Sequence, residues 1–393
     1  MNIFLYLIRI HFVINYFFVK LFTVRKNRVY LLSRQYDKPS LNYQAIIDRL
    51  DREGIPYKVE CKKVDSSIND SVRTQGHYSS SSGFFKKILK KLGVAFNYYF
   101  SLWSQMINIA KSKVIIVDGY NLPVCLLKHK KGTKVIQLWH SLGAIKKFGY
   151  QSIGKVDGIN PSMAKILKMH AGYDYVISGS EGMAPFFAEA FNVPIEKVLN
   201  IGTPTVDYLR SDRHEAKKKL LKKYPELKKK INVLYSPTFR NNKHFNYQDL
   251  IDNTDFDKVN LIITYHSKVE DIYNDDRVIT IPSSEFSVFD VMTVCDYVIS
   301  DYSALLVDAS VCDIKILMYL YDFEEYNKNN GVNLDFFNDF KHLSFKDGSK
   351  LMDVINKNKY EVKEFDKFKK MYTIPRDMNC TDELMKVIID SLG

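Results

Sequence analysis

The chain has 393 residues, 46% hydrophobic and 26% charged, and a formal net charge of +12. That length suits two domains rather than one core, and the composition is that of a globular protein. The basic excess favours an anionic membrane, a phosphate-bearing substrate or a nucleic acid, but no RNP-type, zinc-finger or helix-turn-helix signature is present, so no nucleic-acid partner is expected.

In chain order, the first compositional outlier is MNIFLYLIRIHFVINYFFVKLFTVRKNR, residues 1–28. Its apolar run is broken by Arg9, His11, Asn15 and Lys20. A spanning helix wants about 20 apolar residues with few charges, and a signal peptide wants a charged start and a small-residue cleavage site. The reading is a helix lying in the membrane interface, with Arg9 and Lys20 reaching headgroups. An ordinary packed helix and a true span stay open.

VYLLS (Val29 to Ser33) then reads as a buried strand, LNYQAIIDRLDREG as a helix closing at Gly54, and IPYKVECKKV as a second strand, the opening of a parallel α/β layer. From Phe84, apolar residues at helical spacing alternate with Lys86, Lys87, Lys90 and Lys91. This basic amphipathic helix is either a solvated lysine face over a core stripe or a second membrane contact. In the second case each lysine contributes about 1 kcal/mol near an anionic leaflet.

SKVIIVDGY and KVIQLWH are strands, residues Lys155 to His170 a helix, YDYVISGS a strand and EGMAPFFAEAF a helix. VLNIGTPTVDYL closes the first half, and the lysine-rich stretch from Arg213 to Lys230 is an exposed helix and linker. The second half restarts with INVLYSPTFR and VNLIITYHS, and DVMTVCDYVISDYSALLVDASVCDIKILMYLYD reads helix, strand, loop, helix, strand. The predicted organisation is residues 1–28 as interfacial helix, 29–212 as the first α/β domain and 213–393 as the second.

In open α/β sheets, ligands bind beyond the carboxyl ends of the strands. Four polar clusters fall there: Trp139-His140, Ser236 to Arg240, His266 to Lys268, and Ser300-Asp301-Tyr302-Ser303. At the last, a helix start and its hydroxyls suit a phosphate, although Asp301 also reads as a plain N-cap. Asp308, two turns on, either accepts from ribose hydroxyls or faces solvent. His266 and Arg240 can neutralise a diphosphate. Five scattered cysteines argue against a disulfide framework and fit a reducing compartment. No carboxylate cluster has metal-ligand spacing, so neither a metal nor another cofactor is expected.

SKVIIVDGYNLP, KVIQLWHSLGAIKKFG, YDYVISGSEGMAPFFAEAF, IGTP, LYSPTFR and CDYVISDYSALLVDA together resemble the CDP-glycerol glycerophosphotransferases of teichoic acid synthesis, most of all their primase type. The resemblance implies two Rossmann-like domains facing across a cleft, in the manner of the glycosyltransferase-B fold. It also implies a CDP-glycerol or CDP-ribitol donor, an undecaprenyl-diphosphate-linked saccharide as acceptor, and an anionic membrane surface at the cytoplasmic face of a bacterial cell. It makes His140 the general base. Asp118, at the end of the preceding strand, either orients that imidazole or is a buried capping carboxylate. Gly143, Lys146 and Lys147 then serve the anionic substrates. Ser236, Thr238, Arg240, His266, Lys268, Ser300, Asp301, Tyr302, Ser303, Asp308, Gly202 and Asp207 hold the donor and stabilise departing CMP. Thr205, Ser267, Ala304 and Asn330 depart from the family pattern, and primase or polymerase, glycerol or ribitol, stay open.

Overall fold

The computed structural model describes residues 2–63, 99–156, 158–238, 245–264 and 275–393. The lysine-rich helix expected from Phe84, with Lys86, Lys87, Lys90 and Lys91, lies outside the described residues, as do Arg240, His266 and Lys268.

Among the described residues, twelve strands form two six-stranded sheets. The first contains β1 Val29–Ser33, β2 Tyr57–Cys61, β3 Val114–Val117, β4 Lys134–Gln137, β5 Tyr175–Ile177 and β6 Val198–Leu199, in the order β2-β1-β3-β4-β5-β6. The second contains β7 Ile231–Tyr235, β8 Val259–Ile263, β9 Ile279–Thr280, β10 Tyr297–Ser300, β11 Lys315–Tyr319 and β12 Ser344–Phe345, in the order β12-β11-β10-β7-β8-β9. The pairings are parallel, for instance Val29 with Val114 and Tyr297 with Val233. A parallel sheet carries helices on both faces, which is why VYLLS and VIIV are buried at every position and read as continuous apolar runs.

Each order reverses once, between β1 and β3 in the first sheet and between β7 and β10 in the second. Crevices open beyond the strand ends at such reversals, so the topology alone sets Ser33 and Asp118 at one crevice and Ser236 and Asp301 at the other.

Three expectations need correction. The helix expected from Lys155 to His170 is only Pro161–Ile166, started by Asn160 and Pro161 and followed by Lys168 and His170 at positive φ. The domain boundary at residue 213 does not hold to the chain end. The last helix, Cys380–Leu392, returns to the first sheet and buries Leu384, Met385 and Ile388 against Val29, Leu31, Tyr43 and Ile46. Lys113 Nζ bonds the Gly393 carbonyl at 3.0 Å, and Arg49 pairs with Asp382 across the same interface.

The third concerns Arg9 and Lys20, expected at headgroups, on the N-terminal helix Asn2–Leu21, which has two apolar faces. Phe12, Tyr16 and Val19 are buried in the core of the first domain, whereas Ile3, Leu7, Ile10, Ile14, Phe17 and Phe18 are exposed. Arg9 and Lys20 turn back onto the domain, donating to the carbonyls of Ile166 at 3.4 Å and Lys128 at 2.9 Å. No helix among the described residues is long and apolar enough to cross a membrane.

Candidate active site

The loop after β4 carries the imidazole. Trp139 sits at φ 59, a left-handed conformation that a bulky residue adopts only when its surroundings enforce it. Gln137 supplies one restraint, its Oε1 accepting from Trp139 N at 3.0 Å. Packing supplies the rest: the indole stacks on Phe148 at 4.6 Å and meets Phe191 edge-on at 5.2 Å. This kink ends the strand direction and turns His140 toward the second domain.

His140 Nδ1 lies 3.1 Å from the backbone carbonyl of Asp118. A carbonyl only accepts, so Nδ1 carries the proton and Nε2 keeps its lone pair. The crowding of both domains pushes the imidazole down, to about 4, and Lys146 adds to that direction while the Asp118 carbonyl opposes it. The ring stays open to solvent in the cleft, which works against the shift. Either way His140 is neutral at pH 7.

Asp118 therefore meets His140 through its main chain, and of the two readings of its carboxylate the buried one fits. That carboxylate is buried on the other side: Oδ2 accepts from Ser33 Oγ at 2.6 Å, and Oδ1 has no hydrogen-bond partner among the described residues. Burial pushes it up to about 6.

His140 opens on a cleft of about 600 Å³ walled by both domains. The first domain contributes Trp139, His140, Gly143 and Lys146, and the second contributes Ser236, Pro237, Thr238, Thr264, Ser303 and Ala304. The loops of the second wall are laced together from beneath. The buried Asp301 carboxylate accepts from Thr238 N at 2.9 Å, Thr238 Oγ1 at 2.5 Å and Tyr302 N at 2.6 Å. Ser300 Oγ donates to the Ser236 carbonyl at 2.6 Å. These two residues shape the wall and do not present side chains to a ligand, which corrects their assignment as donor contacts. Tyr302 is corrected likewise: its ring stacks on Tyr326 at 3.7 Å and its hydroxyl bonds Asp322.

Gly202 and Asp207 fall outside the cleft. Asp207 caps the last helix, accepting from Cys380 N at 3.0 Å and Thr381 N at 2.7 Å, and a Cβ on Gly202 would stand 2.6 Å from Cys380 Sγ. Lys147 also misses it: its N–H donates to the Gly331 carbonyl at 3.0 Å and its side chain lies against Gly331. Asp308 belongs to a second chamber, of about 240 Å³, which shares His140 with the cleft and also contains Asp118, Asn42, Thr203 and Phe289. Asn42 and Phe289 carry no local signal, since each lies in a stretch that reads as an ordinary helix.

Two parallel α/β domains facing across a cleft, with strand-order reversals aimed into it and a neutral imidazole opposite a hydroxyl-lined wall, define a two-domain enzyme of the nucleotide-binding α/β class. The chain belongs to the CDP-glycerol:poly(glycerophosphate) glycerophosphotransferase family, whose model matches residues 14–390. It is a transferase of teichoic acid biosynthesis. It is 27% identical over 388 residues to a teichoic acid ribitol-phosphate primase of Bacillus spizizenii, covering 94% of this chain and 92% of that protein. It is 34% identical over 232 residues to a teichoic acid glycerol-phosphate primase of Bacillus subtilis, covering 56% and 59%. The fold is similar to that of the wall teichoic acid polymerase TagF, with a TM-score of 0.68 at 15% identity over 100% of this chain and 98% of that one.

Proposed function

We propose that the chain is a priming glycerophosphotransferase, moving glycerol phosphate from CDP-glycerol to a hydroxyl of an undecaprenyl-diphosphate-linked disaccharide. His140 Nε2 takes the proton as the acceptor oxygen bonds to the donor's β-phosphorus. The bond from that phosphorus to the bridging oxygen of CMP breaks, and CMP leaves with the electron pair. The observation that carries this reading is His140 held in the Nε2-free tautomer on the wall of the cleft. Phosphoryl transfer needs placement and charge stabilisation more than covalent help. Lys146 and the helix start at Ala304, on facing walls, suit the diphosphate. Arg240 and His266 follow the cleft-lining Thr238 and Thr264 by two residues in the sequence and join the same role.

The facing domains act as in glycosyltransferase-B enzymes, the acceptor entering from the first domain and the nucleotide held by the second. The exposed face of the N-terminal helix lies in the cytoplasmic leaflet, where it brings the cleft to a lipid-linked acceptor. Priming, rather than polymerising, is supported by the near-complete mutual coverage with a primase. That same relative uses ribitol phosphate by name and favours a second reading in which CDP-ribitol is the donor.

The test is CMP release by purified protein on anionic liposomes carrying the lipid disaccharide, with either donor. Release from CDP-glycerol is expected. Release from CDP-ribitol alone selects the second reading. A folded chain that releases no CMP from either donor is an inactive scaffold, and both readings fall.

A further inference from the structure

The chamber of about 240 Å³ behind His140 is separate from the nucleotide cleft but shares Trp139, His140 and Ser141 with it, so the imidazole stands in the partition. The two spaces differ in chemistry. The cleft has Lys146 and a helix start; the chamber has two carboxyl groups, Asp118 and Asp308, and neither lysine nor arginine among its described lining residues. A phosphate is repelled there, whereas hydroxyl groups find acceptors.

The polar atoms around the chamber are also left unspent by the fold. Asn42 Oδ1 accepts from Thr205 N at 2.7 Å and Thr205 Oγ1 at 2.8 Å, which leaves the Nδ2 hydrogens for a ligand. Asp118 is almost fully buried, yet its Oδ1 has no hydrogen-bond partner among the described residues. Burial alone raises the Asp308 carboxyl, to about 7, with no charged or hydrogen-bonding group contributing. Buried polar groups without partners are costly, and a built site is one reason they persist. Phe289 adds an apolar wall suited to the C–H face of a sugar or polyol.

We propose that this chamber binds the uncharged, hydroxyl-bearing end of the acceptor, with Asp308 and Asn42 as its specificity-determining contacts. The inference deepens the transferase reading and rests on it. The acceptor's polyhydroxyl unit donates to Asp308 and Asp118, accepts from Asn42, and presents one hydroxyl to His140 through the partition. Asn42 comes from the first domain and Asp308 and Phe289 from the second, so the chamber is complete only when the domains face each other as they do here. Asp308 thus passes from the donor's ribose to the acceptor.

The experiment uses the full chain with CDP-glycerol and the lipid disaccharide, comparing wild type with Asp308→Ala and Asn42→Ala. Each lost hydrogen bond is expected to raise the acceptor KM about tenfold while the calorimetric Kd for CDP-glycerol stays within about twofold. Unchanged calorimetry also certifies the fold of each variant. A rise in the Kd for CDP-glycerol with the acceptor KM unmoved assigns the chamber to the donor and overturns the proposal, as does a lower melting temperature with neither constant changed. If wild type transfers and the variants transfer with unchanged constants, the chamber's role falls and the transferase reading stands. If wild type releases no CMP, both fall.

Discussion

At the scale of single residues, His140 sets the acid side of the chemistry. His140→Ala is expected to lower kcat about 10²- to 10⁴-fold, the usual contribution of a general base, with CMP release as the readout. Crowding by both domains pushes the imidazole below its ordinary 6.5, toward about 4, against the solvent exposure of the ring. The acid limb of the kcat/KM profile should therefore lie below the ordinary imidazole range, and an inflection near 6.5 would contradict the environment described here. Such shifts also bear on stability. His129 and His170 are both lowered by burial, to about 4 and about 3. The folded chain thus binds fewer protons than the unfolded one below pH 6.5, and their contribution, full above that pH, is lost as the pH falls through it. Asp308 runs the other way. Raised from 3.8 to about 7, it favours the folded state below 3.8 and loses that contribution as pH rises toward 7. Asp308→Asn should therefore stabilise the fold at pH 8, on the order of 2 kcal/mol, and give no advantage at pH 4; melting curves at the two pH values check the sign. His140 and the hydroxyl loops were legible in the sequence because each follows an apolar run that must be a strand. The division of labour among them was not. Asp301 spends its carboxylate on Thr238, 63 residues away, and Asp207 on Cys380, 173 residues away. No local pattern shows that a hydroxyl or carboxylate is already occupied by so distant a partner.

At the scale of elements, the N-terminal helix joins the fold to the membrane reading. Its inner face is part of the domain core through Phe12, Tyr16 and Val19, and its outer face leaves Phe17 and Phe18 54% and 52% exposed. An apolar face this exposed on a soluble surface marks an interaction site. Replacing Ile14, Phe17 and Phe18 together by glutamate should abolish sedimentation with anionic liposomes and leave the melting temperature unchanged. Phe12→Ala should do the opposite, costing about 3 kcal/mol of stability with liposome binding retained. Removing the helix entirely confounds the two, because it strips three core residues along with the exposed face. The strands were readable in advance because burial on both faces leaves no polar interruption. The return of the last helix to the first sheet was not, since CTDELMKVIIDSL is an amphipathic pattern that fits any apolar surface and names none.

For the whole molecule, the geometry of transfer depends on how the two domains are held together. Several ties among the described residues do this, Arg210 bonding the Ile374 and Pro375 carbonyls among them, and two bear on the cleft. The last helix belts the second domain back to the first. Beside the cleft, residues 144–147 run antiparallel to 331–333: Asn333 N donates to the Ile145 carbonyl at 2.8 Å, Asn333 Nδ2 to the Ala144 carbonyl at 2.7 Å, and Lys146 bridges with Val332. Gly331, at φ +82, holds a left-handed conformation that a side chain would strain, and the Lys147 side chain lies against it. Between the ties, Gly143 meets the helix Leu305–Val311, where an added Cβ would lie 2.7 Å from Val307 Cγ2 and 3.5 Å from Ala304 Cβ. Val307 is β-branched and buried, so it has little freedom to yield. Gly143→Val should then wedge the domains apart at the partition carrying His140. A displacement near 1 Å at a reacting centre costs about 10²-fold in rate, so kcat should fall by about that factor while both domains keep their folds. Small-angle scattering should report a larger radius of gyration, and far-ultraviolet circular dichroism should be unchanged. A fully active Gly143→Val enzyme of unaltered dimensions would mean that closure is governed by the seam at Gly331 and the terminal helix, and the rate effect should then appear on breaking the Asn333 bonds instead.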